Sequence, residues 1–273
     1  MSKRLCCVND MPGVGKVALA AMIPLCSAKG VNTFTLPTAL VSNTLDYGHF
    51  EILDTTEYME NTVEVWKKLG FGFDCIATGF LVNLQQVEIV KKLVRYQAER
   101  KPLVVVDPIM GDDGTLYPGM KEDRVNAMRE LSSIADILLP NYTEACYLTG
   151  TKYQSQALTQ QQADQLIIDV RALGAKSVVI TSAYVEGHHC VIGYDHDNNS
   201  TFSVRYDMIE VRFPGTGDIF SAVLICDMLS GDELCHAATH AAEVARNIIA
   251  ENISQKDRFA GVDIERYIGE GKL

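Results

Sequence analysis

The chain has 273 residues, of which 47% are hydrophobic and 22% are charged, so its composition is that of a globular protein with a large buried core. The formal net charge of −11 argues against nucleic-acid binding, which needs a basic surface to neutralise phosphates. The longest apolar run, residues 17–26, contains a proline and is too short to span a membrane, and the N-terminus lacks the long apolar segment of a signal peptide.

Strand and helix patterns alternate along most of the chain. In chain order, the predicted elements are strand 5–8, helix 16–29, strand 31–36, helix 57–69, strand 75–78, helix 85–100, strand 103–106, helix 122–133, strand 137–139, a short helix from Thr143, helix 159–173 and strand 177–181. Continuous apolar strands that alternate with helices predict an α/β fold, with a central mostly parallel sheet and helices on both faces.

The alternation then changes. Residues 190–194 and 201–206 flank a turn-rich segment, which predicts a small antiparallel β-hairpin. Two helices, 219–229 and 233–250, complete the predicted elements. Because we find no flexible linker, repeat or low-complexity tract, we expect residues 1–273 to form a single domain.

Polar and small residues follow the predicted strands. They are Asn9 and Asp10, residues 38–47, Thr78, Asp107, Asn141 and Glu144, Thr181 and Ser182, and residues 215–218. In open parallel sheets, ligands bind beyond the carboxyl ends of the strands. We therefore expect these residues to converge on one rim of the sheet.

The cysteine and histidine patterns exclude other kinds of site. The eight cysteines form no C-x-x-C pair and lie mostly within apolar runs, which predicts buried, reduced thiols in a cytoplasmic protein. The six histidines show no zinc-binding spacing, so we expect no zinc site.

Residues 213–220 (Phe-Pro-Gly-Thr-Gly-Asp-Ile-Phe) form the most informative stretch. Two glycines around a threonine allow successive backbone N–H groups to face one anion, and the helix that follows adds its own free N–H groups and its dipole. This interpretation predicts a phosphate cradle with Asp218 facing the attacking group. A glycine turn with Asp218 as a helix cap fits these eight residues equally well.

A second glycine-rich turn, Gly13-Val14-Gly15-Lys16-Val17, resembles a P-loop only superficially. A P-loop needs a glycine where this chain has Asp10, and Ser or Thr where it has Val17. The pattern therefore predicts an ordinary strand-to-helix turn, with Lys16 solvated or in contact with an anion.

Two further segments place oxygen ligands after strands. Asp107 ends a buried strand and is followed by Asp112 and Asp113; such carboxylates suit hydrated Mg²⁺, although a solvated acidic turn is the alternative. Asn141 and Glu144 lie three residues apart, which suits metal-bound water and phosphate oxygens, but by itself this pair indicates only a helix start.

Taken together, these motifs resemble the pyridoxal/pyridoxine/pyridoxamine kinases, the vitamin B6 kinases of the ribokinase-like superfamily, along nearly the whole chain. The segments that carry the resemblance are Ser42-Asn43-Thr44-Leu45-Asp46-Tyr47, Thr78-Gly79-Phe80, Asp107-Pro108-Ile109-Met110-Gly111-Asp112, Pro140-Asn141-Tyr142-Thr143-Glu144, Val179-Ile180-Thr181-Ser182 and Gly215-Thr216-Gly217-Asp218. The resemblance implies a three-layer ribokinase-like fold and ATP-dependent phosphorylation of the 5′-hydroxymethyl group of a B6 vitamer.

The resemblance also implies a role for each matching residue. On the acceptor side, Asp218 would face the hydroxymethyl group, Gly215, Thr216 and Gly217 would bind the migrating phosphoryl group, and Asp10, Ser42, Thr44, Tyr47 and Phe80 would form the vitamer pocket. On the ATP side, Asp107 and Glu144 with Asn141 would arrange Mg²⁺ and the phosphates, Thr181 and Ser182 would line the nucleotide, and Tyr117 would lie by the phosphates. Thr216 would also bind ATP. A monovalent cation such as K⁺ and a homodimer are further family expectations, whereas nucleic acid and membrane are not expected partners.

Phosphoryl transfer needs alignment and charge stabilisation rather than covalent catalysis. A helix N-terminus favours the charged form of an aspartate. We therefore expect Asp218 to be a weak base that mainly orients the hydroxyl group and accepts its proton late.

The chain departs from the B6 kinase pattern at a few positions. It has Asp10 where those kinases carry Ser, Phe80 where many carry Tyr, and a shorter loop around residues 13–16. A carboxylate at Asp10 could pair with a pyridinium nitrogen or a cationic amine, which favours pyridoxamine or pyridoxine over pyridoxal. The alternatives are a hydroxymethylpyrimidine kinase of the same superfamily and, from another class, a non-catalytic vitamer- or nucleotide-binding module.

Overall fold

A computed structural model describes residues 2–117, 120 and 122–273 of the chain. Its strands are β1 (Arg4–Pro12), β2 (Asn32–Val41), β3 (Ile52–Asp54), β4 (Cys75–Thr78), β5 (Leu103–Val106), β6 (Gly111–Asp112), β7 (Thr115–Leu116), β8 (Ile137–Leu138), β9 (Ser177–Val185), β10 (His188–Asp195) and β11 (Ser200–Tyr206). Its helices are α1 (Ala18–Ala28), α2 (Thr56–Leu69), α3 (Leu84–Tyr96), α4 (Glu122–Ser132), α5 (Tyr142–Thr149), α6 (Gln160–Arg171), α7 (Thr216–Ser230), α8 (Leu234–Asn252) and α9 (Ile264–Gly269).

The chain divides into two compact units. The first contains the residues up to Pro102 and those from Ile209 onward, and the second contains the residues between them. Whether the two act as a single domain stays a prediction of the sequence.

The first unit is built on the strand order β4-β1-β2-β3. β4, β1 and β2 are parallel, and β3 pairs antiparallel with β2. The apolar segment of β1, from Leu5 to Val8, is wholly buried, because α1 packs on it and strands flank it on both sides. Helix α7 is mostly apolar and is buried along most of its length, and it packs against α1 and α8. This packing places the start of α7 beside the end of β1.

The second unit carries the strand order β5-β8-β9-β10-β11. β5, β8 and β9 are parallel, whereas β10 and β11 form an antiparallel hairpin against β9. The short strands β6 and β7 form a separate antiparallel pair just after β5. The predicted parallel strands and the predicted hairpin are therefore confirmed.

The predicted start of the first helix is wrong by two residues. Helix α1 begins at Ala18 rather than Lys16, because the Lys16 N–H donates to the Ala260 carbonyl (2.8 Å) and Gly15 has a φ of +114°. Strands β3, β6 and β7 and helix α9 were not predicted, and β9 extends four residues beyond its predicted end. None of the described helices combines the length and the apolar character needed to cross a membrane.

Candidate active site

The start of α7 has the geometry of an anion cradle. Gly215 precedes the helix with a φ of +85°, and a side chain there would overlap the carbonyl oxygen of Lys16. The first intrahelical bond runs from the Ile219 N–H to the Gly215 carbonyl (3.0 Å). The N–H groups of Thr216, Gly217 and Asp218 therefore have no partner within the helix, as is usual for a first turn. Only glycine fits at 215, whereas a Cβ at Gly217 would meet no atom within 4 Å.

Asp218 is fixed by hydrogen bonds to both of its carboxylate oxygens. Its Oδ2 accepts from the backbone N–H of Ala18 (2.8 Å), and its Oδ1 accepts from the side-chain Nδ2 of Asn9 (3.2 Å). Burial raises the pKa of Asp218 to about 6, and these two hydrogen bonds oppose the rise. The expectation that the helix terminus favours the charged form of Asp218 is thus wrong, because burial outweighs it. The expectation that Asp218 is a weak base that accepts the proton late stays a prediction.

Asp10 is half-buried and lies close enough to Asp218 for the two charges to interact. Burial, followed by the charge of Asp218, raises the pKa of Asp10 to about 7. Apart from its own backbone N–H, no described residue donates a hydrogen bond to the Asp10 carboxylate. Asp10 is therefore an acidic group beside the reacting position that lacks a cationic partner in the described part of the chain.

The other residues predicted for the vitamer pocket lie in three separate places. Phe80 joins Asp10 and Asp218 through Asn9, whose Oδ1 accepts the Phe80 N–H (2.8 Å). Thr44 is buried and donates its hydroxyl to the Phe259 carbonyl (2.6 Å), and Tyr47 donates to Asp257 (2.6 Å). Ser42 is exposed and donates to the Asn43 side chain (2.7 Å), so it lies apart from the buried group.

In the second unit, Asn141 and Glu144 bind the loop after β5 to the start of α5. The carboxylate of the buried Glu144 accepts the backbone N–H groups of Met110 (2.9 Å) and Asn141 (2.9 Å). Asn141 caps the helix at the Glu144 N–H (2.9 Å) and donates to the Gly111 carbonyl (2.8 Å). The pair is thus a helix capping box that also holds the 107–111 loop.

Asp107 completes an acidic pair in the same unit. Burial, and after it the charge of Asp107, raise the pKa of Glu144. A cation would relieve this repulsion, so the donor set fits a hydrated Mg²⁺ that takes few protein ligands. Within residues 2–117, 120 and 122–273, no three or more His, Cys, Asp and Glu side chains are grouped to hold a metal ion.

The remaining predicted nucleotide residues lie around this capping box. The Thr181 N–H donates to the Pro140 carbonyl (3.0 Å), next to Asn141, and the Tyr117 N–H donates to the Met110 carbonyl (2.9 Å). Ser182 has a φ of +58°, a conformation that is uncommon for serine and often marks functional sites, and its side chain hydrogen-bonds to Tyr206. The second unit thus contains the residues predicted for the ATP side except Thr216, which lies at the start of α7 in the first unit.

Two contributors to the site were not predicted from the sequence. The sequence predicts Asn9 only as a polar residue at the end of a strand, whereas in the structure its side chain is buried, with 2% exposure. The Ala18 N–H has no sequence signal, because it depends on a φ of +48° at a residue that is not glycine.

Comparisons with known proteins agree with this geometry. The family model described as phosphomethylpyrimidine kinase matches residues 19–263. The pyridoxine kinase of Bacillus subtilis is 28% identical over 74% of this chain and 70% of its own length. The pyridoxal kinase of Lactobacillus plantarum superposes with a TM-score of 0.88 at 26% identity, over 98% of this chain and 96% of that one. A Bacteroides thetaiotaomicron protein solved with pyridoxal has a TM-score of 0.93 at 31% identity, over 100% and 96% of the two chains.

These similarities confirm the predicted kinase family and its α/β fold. The chain therefore belongs to the phosphomethylpyrimidine kinase family, among the ribokinase-like ATP-dependent kinases that include these pyridoxal and pyridoxine kinases.

Proposed function

We propose that this protein transfers the γ-phosphoryl group of ATP to the 5′-hydroxymethyl group of pyridoxal, pyridoxine or pyridoxamine, and releases the 5′-phosphate and ADP. One observation carries this proposal: the half-buried Asp218, held at both oxygens, lies in the first turn of α7 beside three backbone N–H groups that have no partner within the helix. Such a start of a helix favours a phosphoryl group, and a carboxylate beside it can receive the proton of the attacking hydroxyl.

Asp218 acts as the general base. A pKa of about 6 leaves Asp218 mostly ionised at neutral pH, and also close enough to neutrality to accept a proton with useful driving force. The N–H groups of Thr216 and Gly217 stabilise the charge on the transferring group without any reorganisation. Positioning and charge stabilisation therefore supply most of the rate, as phosphoryl transfer requires.

The second unit supplies most of the side chains that bind the nucleotide. Asp107 and Glu144 would hold Mg²⁺ through its water shell, and the ion would supply positive charge that stabilises the phosphates of ATP. Asn141 and Glu144 keep the 107–111 loop in place by their backbone hydrogen bonds. Thr181, Ser182 and Tyr117 line the nucleotide. A monovalent cation such as K⁺ stays a prediction to which we assign no residues.

We assign Asp10 and Phe80 to the acceptor pocket on their links to Asn9 and Asp218. Ser42, Thr44 and Tyr47 stay predictions of the family resemblance. Asp10 selects an acceptor that carries a cationic nitrogen, because a half-buried carboxylate without a cationic partner gains from one. The Asp10→Ser variant should therefore lose about 10- to 100-fold in kcat/KM for the vitamer whose nitrogen it contacts. Equal loss for all three vitamers would identify the ring nitrogen, and loss for pyridoxamine alone would identify the amine. If kcat/KM for all three vitamers is the same in Asp10→Ser as in wild type, Asp10 does not have this role.

A second candidate acceptor is hydroxymethylpyrimidine, a pyrimidine related to the one in the description of the matching family model, phosphomethylpyrimidine kinase. The test is ATP-dependent formation of phosphorylated product, detected by mass spectrometry, with pyridoxal, pyridoxine, pyridoxamine and hydroxymethylpyrimidine in parallel. We expect turnover with the B6 vitamers. Turnover with hydroxymethylpyrimidine alone would assign the second function, and tight binding without any turnover would indicate a binding module.

We also propose a homodimer in the cytoplasm. Apolar side chains are 41–60% exposed on β2, β3 and the loops beside them in the first unit, namely Val14, Leu40, Leu45, Phe50 and Leu53. Leu40 and Leu53 pair across the two strands, so the patch continues along the edge of the sheet and suits a second copy of the chain. All eight cysteines are free, and all except Cys235 are buried, which is in keeping with a reducing compartment.

A further inference from the structure

Asn9 connects the proposed base to the acceptor pocket. Its side-chain Oδ1 accepts two backbone N–H groups, those of Asp10 (3.0 Å) and Phe80 (2.8 Å). Its Nδ2 lies 3.2 Å from Asp218 Oδ1 and 3.8 Å from the sulfur of Met22. Asn9 is 2% exposed, so water does not compete for these groups.

This network determines which way the amide of Asn9 points. Two N–H donors face one side of the amide, so that side must be the carbonyl oxygen. The NH₂ group is then obliged to face Asp218. A group in this position can only donate, and it therefore stabilises the ionised carboxylate over the protonated one.

We propose that Asn9 is a positioning residue that holds Asp218 in its ionised, reactive orientation and fixes it relative to the Asp10–Phe80 side of the acceptor pocket. This inference rests on the proposed function for its catalytic meaning. Ala18 supports the other oxygen, but it does so through the backbone, which no side-chain substitution removes. Asn9 is thus the side chain through which proton affinity at Asp218 can be changed.

The groups around Asp218 decide how this can be measured. The titratable side chains that interact with Asp218 in the described part of the chain are Asp10 and Cys7, both on β1, and α1 adds the Ala18 N–H. Burial raises the pKa of Cys7, so this thiol stays neutral. Asp10 titrates in the same range as Asp218, with a pKa of about 7, so a readout specific to each carboxyl group is needed.

The test compares two identical substitutions, Asn9→Asp and Asn83→Asp. Asn83 is a matched control in the same unit, because its Oδ1 accepts the Gln86 N–H (3.0 Å) while its Nδ2 donates to the carboxylate of Asp54 (2.9 Å). Asn9→Asp keeps the acceptor for Asp10 and Phe80 but places an oxygen where the NH₂ group met Asp218. Like charges this close raise the proton affinity of the pair.

The primary readout is the titration midpoint of Asp218, observed by ¹³C NMR of the carboxyl carbon and assigned with Asp218→Asn. We expect Asn9→Asp to raise this midpoint by about one unit or more, and to move the acid limb of kcat/KM by a similar amount. Asn83→Asp should lower thermal stability and leave both quantities in place. An unchanged Asp218 midpoint in folded Asn9→Asp would overturn the proposal.

A measurement on the wild-type protein covers a variant that does not fold. The Asn9 side-chain ¹H and ¹⁵N shifts should move with pH at the Asp218 midpoint, and this movement should vanish in Asp218→Asn. Shifts that do not follow Asp218 would overturn the proposal. Because these titrations need no substrate, they decide the role of Asn9 even if no acceptor is turned over, an outcome that would refute the proposed function alone.

Discussion

At the scale of single residues, the main finding is that the site contains two neighbouring carboxyl groups with raised proton affinity. Asp218 and Asp10 have pKa values of about 6 and about 7, and burial is the largest cause for both. The sequence places Asp218 at a helix start but cannot show that β1 and α1 enclose it. Burial depends on long-range packing, so the strength of the base was not predictable from the motif.

The raised pKa of Asp10 predicts how stability depends on pH. The folded protein binds this proton up to about pH 7, whereas an unfolded aspartate releases it near 3.8. More protons bound in the folded state mean that the free energy of unfolding falls as pH rises between these values. Asp10→Asn cannot release this proton, so it avoids this fall in the free energy of unfolding. The difference in Tm between Asp10→Asn and wild type should therefore grow in favour of the variant from pH 5 to pH 8. Thermal unfolding at four or five pH values checks this, and a constant difference would contradict it.

At the scale of elements, the start of α7 and the start of α5 show different degrees of predictability. The sequence of residues 215–218 fits a glycine turn and an anion cradle equally well. The structure adds the close approach of Gly215 to the Lys16 carbonyl. For Asn141 and Glu144, the sequence indicated a helix start, and the capping box confirms it. Their link to Met110 and Gly111 spans about thirty residues and has no signal in the local pattern.

The two glycines at the start of α7 should respond differently to the same substitution. Gly215→Ala places a side chain on left-handed backbone and against the Lys16 carbonyl. It should cost at least about 1–2 kcal/mol, which corresponds to a fall in Tm of about 2–8 °C. Gly217→Ala meets no neighbour and should leave Tm unchanged or slightly higher. Differential scanning calorimetry of both variants checks this, and equal Tm values would contradict the assigned geometry.

At the scale of the whole molecule, the apolar strands were the most predictable part of the fold. Strands β4 and β5 lie where the sequence predicted them, because short apolar runs between turn signals leave little choice of boundaries. Strands β3, β6 and β7 have only two or three residues each and no apolar run, so pairing with neighbours rather than local pattern defines them. Helix α9 has six residues and is likewise too short to give a periodic signal.

The exposed apolar patch on the first unit predicts the oligomeric state. Sedimentation equilibrium should give twice the chain mass of 30.1 kDa. Leu53→Lys, at a side chain that is 60% exposed, should shift the protein towards the monomer, because a buried unpaired charge is costly at an interface. Ile168→Lys, at 56% exposure on α6 in the second unit, is the matched control and should leave the mass unchanged. A monomeric wild type would refute the dimer.

The most direct test of the account is the turnover of Asp218→Ala with ATP and the preferred B6 vitamer. Removal of the base should reduce kcat by about 10²- to 10⁴-fold, while ATP affinity, measured by calorimetry, stays near the wild-type value because Asp218 is not among the residues assigned to ATP. Turnover close to that of wild type, from a variant that binds ATP normally, would contradict the assignment of Asp218 as the group that activates the acceptor.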